Sequence, residues 1–123
     1  MFVIMFFPVM VNAEEITTAK APEYISEENV FVANGTPIVI EEKDGSTYAT
    51  WEGGEQLLNE SAIVVGGYYN PLNSGSDNVI DLESTSVTMN SGTVGVIVGG
   101  NAIDANYDVY SKIHVGTINV DIN

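Results

Sequence analysis

The stretch Ser84–Gly100, STSVTMNSGTVGVIVGG, decides how the chain is read, because its flanks return at a fixed distance. Ile63-Val64-Val65-Gly66-Gly67 comes back as Val96-Ile97-Val98-Gly99-Gly100. At the same offset Val87-Thr88-Met89-Asn90 comes back as Val120-Asp121-Ile122-Asn123, and Ile80 and Leu82 fall on Ile113 and Val115. A constant period of roughly 33 residues marks a stacked array, in which one unit cannot bury its own apolar face. Apolar positions are kept under the shift, whereas the loops agree only at Asn73 and Asn106. Stacking demands this pattern, because only the inward face meets the next unit.

Working outward, Ser61–Asn123 divides into short strands and polar loops. Ile63-Val64-Val65 ends at Gly66-Gly67, and Tyr68–Asn78 is rich in Asn, Ser, Gly and Pro. Val79–Leu82 and Ser86–Asn90 alternate apolar with polar residues, the period of a half-buried strand. Three short strands per repeat predict a coil of a parallel β-helix, with each side chain stacked on its equivalent one turn away. Asn90 and Asn123 are then candidates for an amide ladder between coils, or are ordinary turn residues. The array stops inside a coil. The expectation is either a longer parent protein or an open end that pairs with another chain, since an uncapped edge leaves N–H and C=O groups unmet.

Residues 29–60 are expected to form an N-terminal cap with a hairpin. Val30-Phe31-Val32 and Ile38-Val39-Ile40 read as strands around the Asn34-Gly35-Thr36-Pro37 turn. Asp44-Gly45 predicts a type I′ hairpin returning through Thr47–Trp51. Tyr48 and Trp51 are candidates to cover the first coil. Glu55–Asn59 reads as a helical turn or a loop. Residues 14–28 are polar and interrupted by Pro22, the composition of a loosely docked linker. Residues 1–13 carry the apolar run Phe2–Met10 and small residues before a cleavage point after Ala13. They read as a signal peptide, although no Lys or Arg precedes the run. The localisation expected is secreted or cell surface, with no membrane insertion after cleavage.

The 123 residues contain 17 acids, three Lys, no Arg and no Cys, for a net charge of −14. Such a surface repels phosphate backbones and argues against nucleic-acid binding. The absence of Cys removes disulfides and thiol nucleophiles.

The segment SVTMNSGTVGVIVGGN (86–101), with its echo from Ile118-Asn119-Val120, resembles the coils of secreted bacterial right-handed parallel β-helix proteins, the pectin-lyase-like group. It is most similar to the repetitive, Gly-rich coils of cell-surface proteins. The resemblance implies a right-handed β-solenoid with a structural or adhesive role. Carbohydrate or a host or cell-surface protein is the partner it suggests, and end-to-end self-association is a further expectation. Two alternatives stay open: the N-terminal part of a carbohydrate-active β-helix enzyme, and a small secreted sugar-binding β-sandwich.

Candidate chemistry is sparse. Asp104, Asn106 and Asp108 have the alternate-oxygen spacing that begins a calcium loop, but Val109 and Val115 stand where an EF-hand needs Gly and Glu. A non-EF calcium site or a solvated turn fits them. Tyr68 and Tyr69 open a loop and are candidates to stack on a sugar ring, or to pack on the coil's flank. Asp81 and His114, one coil apart, form either a surface ion pair or a catalytic pair. Polysaccharide lyases of the resembled group use basic residues to take a proton from an acidic sugar, and this chain has no Arg and only scattered Lys. No catalytic residue is assigned.

Overall fold

A computed structural model describes residues 15–69, 79–102 and 112–123. Among them the chain is all-β, with ten strands in two mixed sheets.

The smaller sheet has the order β2 (Glu23–Ile25), β3 (Val30–Val32), β7 (Ile63–Val65), β9 (Val96–Val98). β3 pairs with β7, and β7 with β9, in parallel. The register advances by the sequence period at each step, with Val32 opposite Val65 and Val65 opposite Val98. β2 closes the outer edge of β3 in antiparallel fashion. These strands are short, β-branched and apolar, which suits a pleated surface buried on its neighbours. Val30, Phe31, Val32, Val64 and Val65 are fully buried. Each such side chain contributes about 1.5–3 kcal/mol on removal from water, an upper estimate given a compact unfolded state.

The larger sheet is organised around β8 (Val79–Met89). Along one edge lies β10 (Lys112–Ile122), parallel and displaced by the same period, with Ile80 opposite Ile113 and Val87 opposite Val120. Along the other edge lie β1 (Glu15–Ile16), beside the start of β8, and β4 (Ile38–Lys43), beside its end. From β4 the sheet continues antiparallel through β5 (Ser46–Trp51) and β6 (Gly54–Leu58). Asp44 and Gly45 take positive φ, 52° and 83°, as a type I′ turn requires.

β8 is one strand in pairing but two in side-chain pattern. Ile80 and Leu82 are buried, Glu83 and Ser84 are both exposed, and Thr85 and Val87 are buried again. The alternation therefore slips by one residue at Glu83-Ser84. The ladder to β10 skips Glu83 and Gly116 at this same place.

The core lies between the two sheets. Phe31, Ile38, Ile40, Ala49, Leu58, Val64 and Val87 pack together, with Trp51 against them. The Phe31 and Trp51 rings are 5.6 Å apart and tilted by 42°, so Trp51 covers the first layer as expected.

Three expectations are corrected. Glu55–Asn59 is neither helix nor loop, because Gly54–Leu58 is a strand on β5. Residues 15–28 hold β1 and β2, so most of the polar linker docks onto the sheets, with Thr36 donating to the Lys20 carbonyl at 2.7 Å. Val79–Leu82 and Ser86–Met89 belong to a single paired strand, not two. The signal-peptide segment lies outside the described residues.

Candidate interaction surface

The strands that repeat at the sequence period end in a face that nothing covers among the described residues. β2 seals β3, and the β4–β5–β6 meander seals the same end of the larger sheet. At the opposite end, no described strand pairs with the outer edges of β9 and β10.

Burial follows this polarity. Val87 is 1% exposed, whereas Val120, its partner one layer out, is 44% exposed. Thr85 is buried, while Ile118 above it is 53% exposed, and Ile122 reaches 67%. Val96 is likewise the most open of the column Val30, Ile63, Val96. Ile118, Val120 and Ile122 have inward-facing counterparts in Thr85, Val87 and Met89, so their exposure comes from the end of the stack.

The layers are held at close range by the glycine corner. A Cβ on Gly66 would stand 2.5 Å from the Gly99 carbonyl oxygen and 3.1 Å from Val87 Cγ2. Only glycine lets the two backbones approach so closely. The Gly66 N–H donates to the Val98 carbonyl at 2.8 Å, and the Gly67 N–H to the Gly100 carbonyl at 2.9 Å. Buried Thr85 donates its hydroxyl to the Gly99 carbonyl at 2.5 Å. One layer out, Ile118 and Val120 lie over Gly99. Asn123 Nδ2 donates to Asn90 Oδ1 at 2.8 Å, the first rung of an amide ladder, while the Asn123 N–H donates to the Met89 carbonyl.

The charge distribution marks the same face. Most of the 17 acids precede Ser61, and Ser84–Ile103 has no charged residue at all. β10 carries Lys112 and Asp121, whose charges cancel, and one His. From Ser84 to Asn123, the stretch that supplies both open edges, Asp104, Asp108 and Asp121 stand against Lys112, so it carries −2 of the chain's −14.

Of the residues singled out in the sequence, Tyr68 is 2% exposed, its hydroxyl donates to the Thr18 carbonyl at 3.0 Å, and Lys20 Nζ lies 5.2 Å from its ring centre. That ring packs on the flank and presents no open face to a sugar, which corrects the stacking role considered for it. The Tyr68 N–H donates to Asn101 Oδ1 at 2.7 Å, again one period away. Tyr69 is half-buried, packs beside Val65 and Val98, and bridges in parallel to Ala102. Asp104, Asn106 and Asp108, the calcium candidates, lie outside the described residues. Among the described residues no group of three or more His, Asp or Glu could hold a metal ion. Asp81 Oδ1 and His114 Nδ1 do meet, at 2.8 Å, with both side chains more than half exposed. An exposed pair of this kind contributes about 0–1 kcal/mol.

A groove of about 830 Å³ runs between the hairpin and the Ser91–Thr93 turn, with Tyr24, Glu42, Thr47, Gln56, Asn59 and Thr93 on its walls. Its amides and hydroxyls are largely committed: Thr47 accepts the Thr93 N–H, Asn59 accepts from Asn29, and Tyr24 donates to Asn29. The signal that sequence reading lacked was the exposure gradient along each column, since residue type alone does not say which layer is outermost. No family model, curated protein or solved structure matches the chain.

Proposed function

We propose that the chain is a right-handed parallel β-solenoid unit of a secreted or cell-surface protein, with a structural or adhesive role and no catalysis of its own. One observation carries the reading. β7–β9 and β8–β10, in two different sheets, are both parallel and share one offset, Val65 to Val98 in the first and Val87 to Val120 in the second. A winding chain produces one offset in every sheet it visits. Parallel strands joined by a crossover are right-handed in about 98% of cases, which sets the hand. The acidic surface suits a soluble exported protein, and the apolar run before Ala13 supplies an export signal. Both side chains of the Asp81–His114 pair are more than half exposed, the setting of a surface contact.

The test is expression of the full chain with a C-terminal epitope tag in its own source cell. The tag is expected in the medium or on the protease-accessible surface, with Glu14 as the first residue of the mature protein. Purified chain is expected to bind cell-surface carbohydrate or protein saturably and to release no product from polysaccharides. Retention inside the cell would end the secreted reading. Release of oligosaccharides would end the non-catalytic one.

A further inference from the structure

We propose that the uncovered end is a homodimer interface, in which β10 pairs antiparallel with β10 of a second copy about a two-fold axis between Gly116 and Thr117. The inference stands on β10 itself and holds whether or not the chain is secreted or adhesive.

The sequence of β10 is nearly its own mirror image. Lys112-Ile113-His114-Val115-Gly116 runs polar, apolar, polar, apolar, small, and Thr117-Ile118-Asn119-Val120-Asp121 runs small, apolar, polar, apolar, polar. An antiparallel register centred between Gly116 and Thr117 sets Val115 opposite Ile118, His114 opposite Asn119, and Ile113 opposite Val120. In a regular strand such a centre would place inward residues against outward ones, because opposite residues must share a face. Here the alternation slips by one residue at the centre, where the ladder to β8 skips Glu83 and Gly116. The slip restores the match, so inward positions meet inward positions on both sides of the axis. The same register sets Lys112 opposite Asp121 twice, once at each end.

Three further facts choose a second copy as the occupant. At the other end the edge strands are β1, β2 and β6, of two, three and five residues, so head-to-tail stacking offers the eleven-residue β10 no edge of matching length. Like end on like end matches the whole strand, which is the closed, isologous arrangement. The stretch that supplies both open edges, Ser84–Asn123, also carries only −2 of the chain's −14, so two copies meet there with less repulsion than along the acidic remainder. Finally, Ile118, Val120 and Ile122 are exposed along β10 itself.

Sedimentation equilibrium of the purified full chain over a concentration series is the first measurement, with a species of twice 13.2 kDa expected. A monomer up to about 1 mM, a range that includes very weak association, overturns the proposal. Open-ended growth overturns it as well, because a two-fold contact stops at two. The register is read by cysteines, since the chain has none of its own. His114→Cys and Asn119→Cys, both at exposed positions, are purified separately and checked for folding by circular dichroism. In either variant alone, identical cysteines stand about 17 Å apart across the axis, the length of a short strand. A short thiol crosslinker should therefore join chains only in the mixture of the two. Crosslinking in a single variant, or none in the mixture, overturns the register. Asp121→Lys should weaken the dimer about five- to thirtyfold through two unfavourable pairs, and Lys112→Asp in the same chain should restore it. Identical dissociation constants for all three chains would also overturn the register.

Discussion

Gly66 shows what a single position contributes. Its missing side chain is the space through which the Gly99 carbonyl approaches. Gly66→Ala would put a methyl group 2.5 Å from that oxygen and 3.1 Å from Val87, so one layer must move away from the next. Overpacking of this kind costs about 1–3 kcal/mol, and chemical denaturation should show a loss in that range. A loss under about 0.5 kcal/mol, the scatter of neutral surface changes, would mean the layers are less tightly stacked than their hydrogen bonds imply. Asp81 gives the opposite expectation. Its contact with His114 is short but open to water, so Asp81→Asn should change stability by less than about 1 kcal/mol. The same denaturation series measures both variants. Residue-level reading of the sequence succeeded where geometry leaves a chemical mark, as at Asp44-Gly45, where both φ angles are positive. At Tyr68 it left two readings open, stacking on a sugar or packing on the flank, and the ring packs, with Lys20 over it.

At the scale of strands, position in the stack should matter more than residue type. Val87 and Val120 are the same residue in one column, yet one is buried and the other half open. Val87→Ala should cost the folded chain about 1–3 kcal/mol, the range for deleting buried methyl groups. Val120→Ala should cost the monomer well under about 1 kcal/mol, since little area returns to water. Equal losses in dilute monomer would show that the outer layer is already covered. The strand register was legible beforehand because stacking fixes apolar identity at a constant offset, as Val65 and Val98 illustrate. β6 was not legible. Glu55, Gln56 and Leu57 suit a helix as well as a strand, and pairing with β5 settles the matter. β1 and β2, of two and three residues, were hidden for a related reason. They have almost no apolar pattern of their own and are strands only because β8 and β3 offer edges. The outward site was hidden too, since exposure of Ile118 and Ile122 depends on what lies beyond them.

For the whole molecule, charge sets how association responds to salt. Each copy carries −14, concentrated toward the end away from the proposed contact. Two such charges about 30 Å apart repel by on the order of 10 kcal/mol at ~0.01 M salt and on the order of 1 kcal/mol at ~0.1 M. The two Lys112–Asp121 placements add at most about 1 kcal/mol each and are screened by the same ions. Repulsion is therefore the larger quantity at low salt, and its loss is the larger change. The dimer dissociation constant should fall as NaCl is raised from ~0.01 to ~0.1 M, where screening tightens most, and then level off as apolar burial takes over. Sedimentation at several salt concentrations measures this slope. An interface built on opposite charges would give the reverse sign, with the dimer dissociating as salt rises. That outcome would place the contact on the acidic surface and a basic patch, and the chain's three Lys leave little from which to build one.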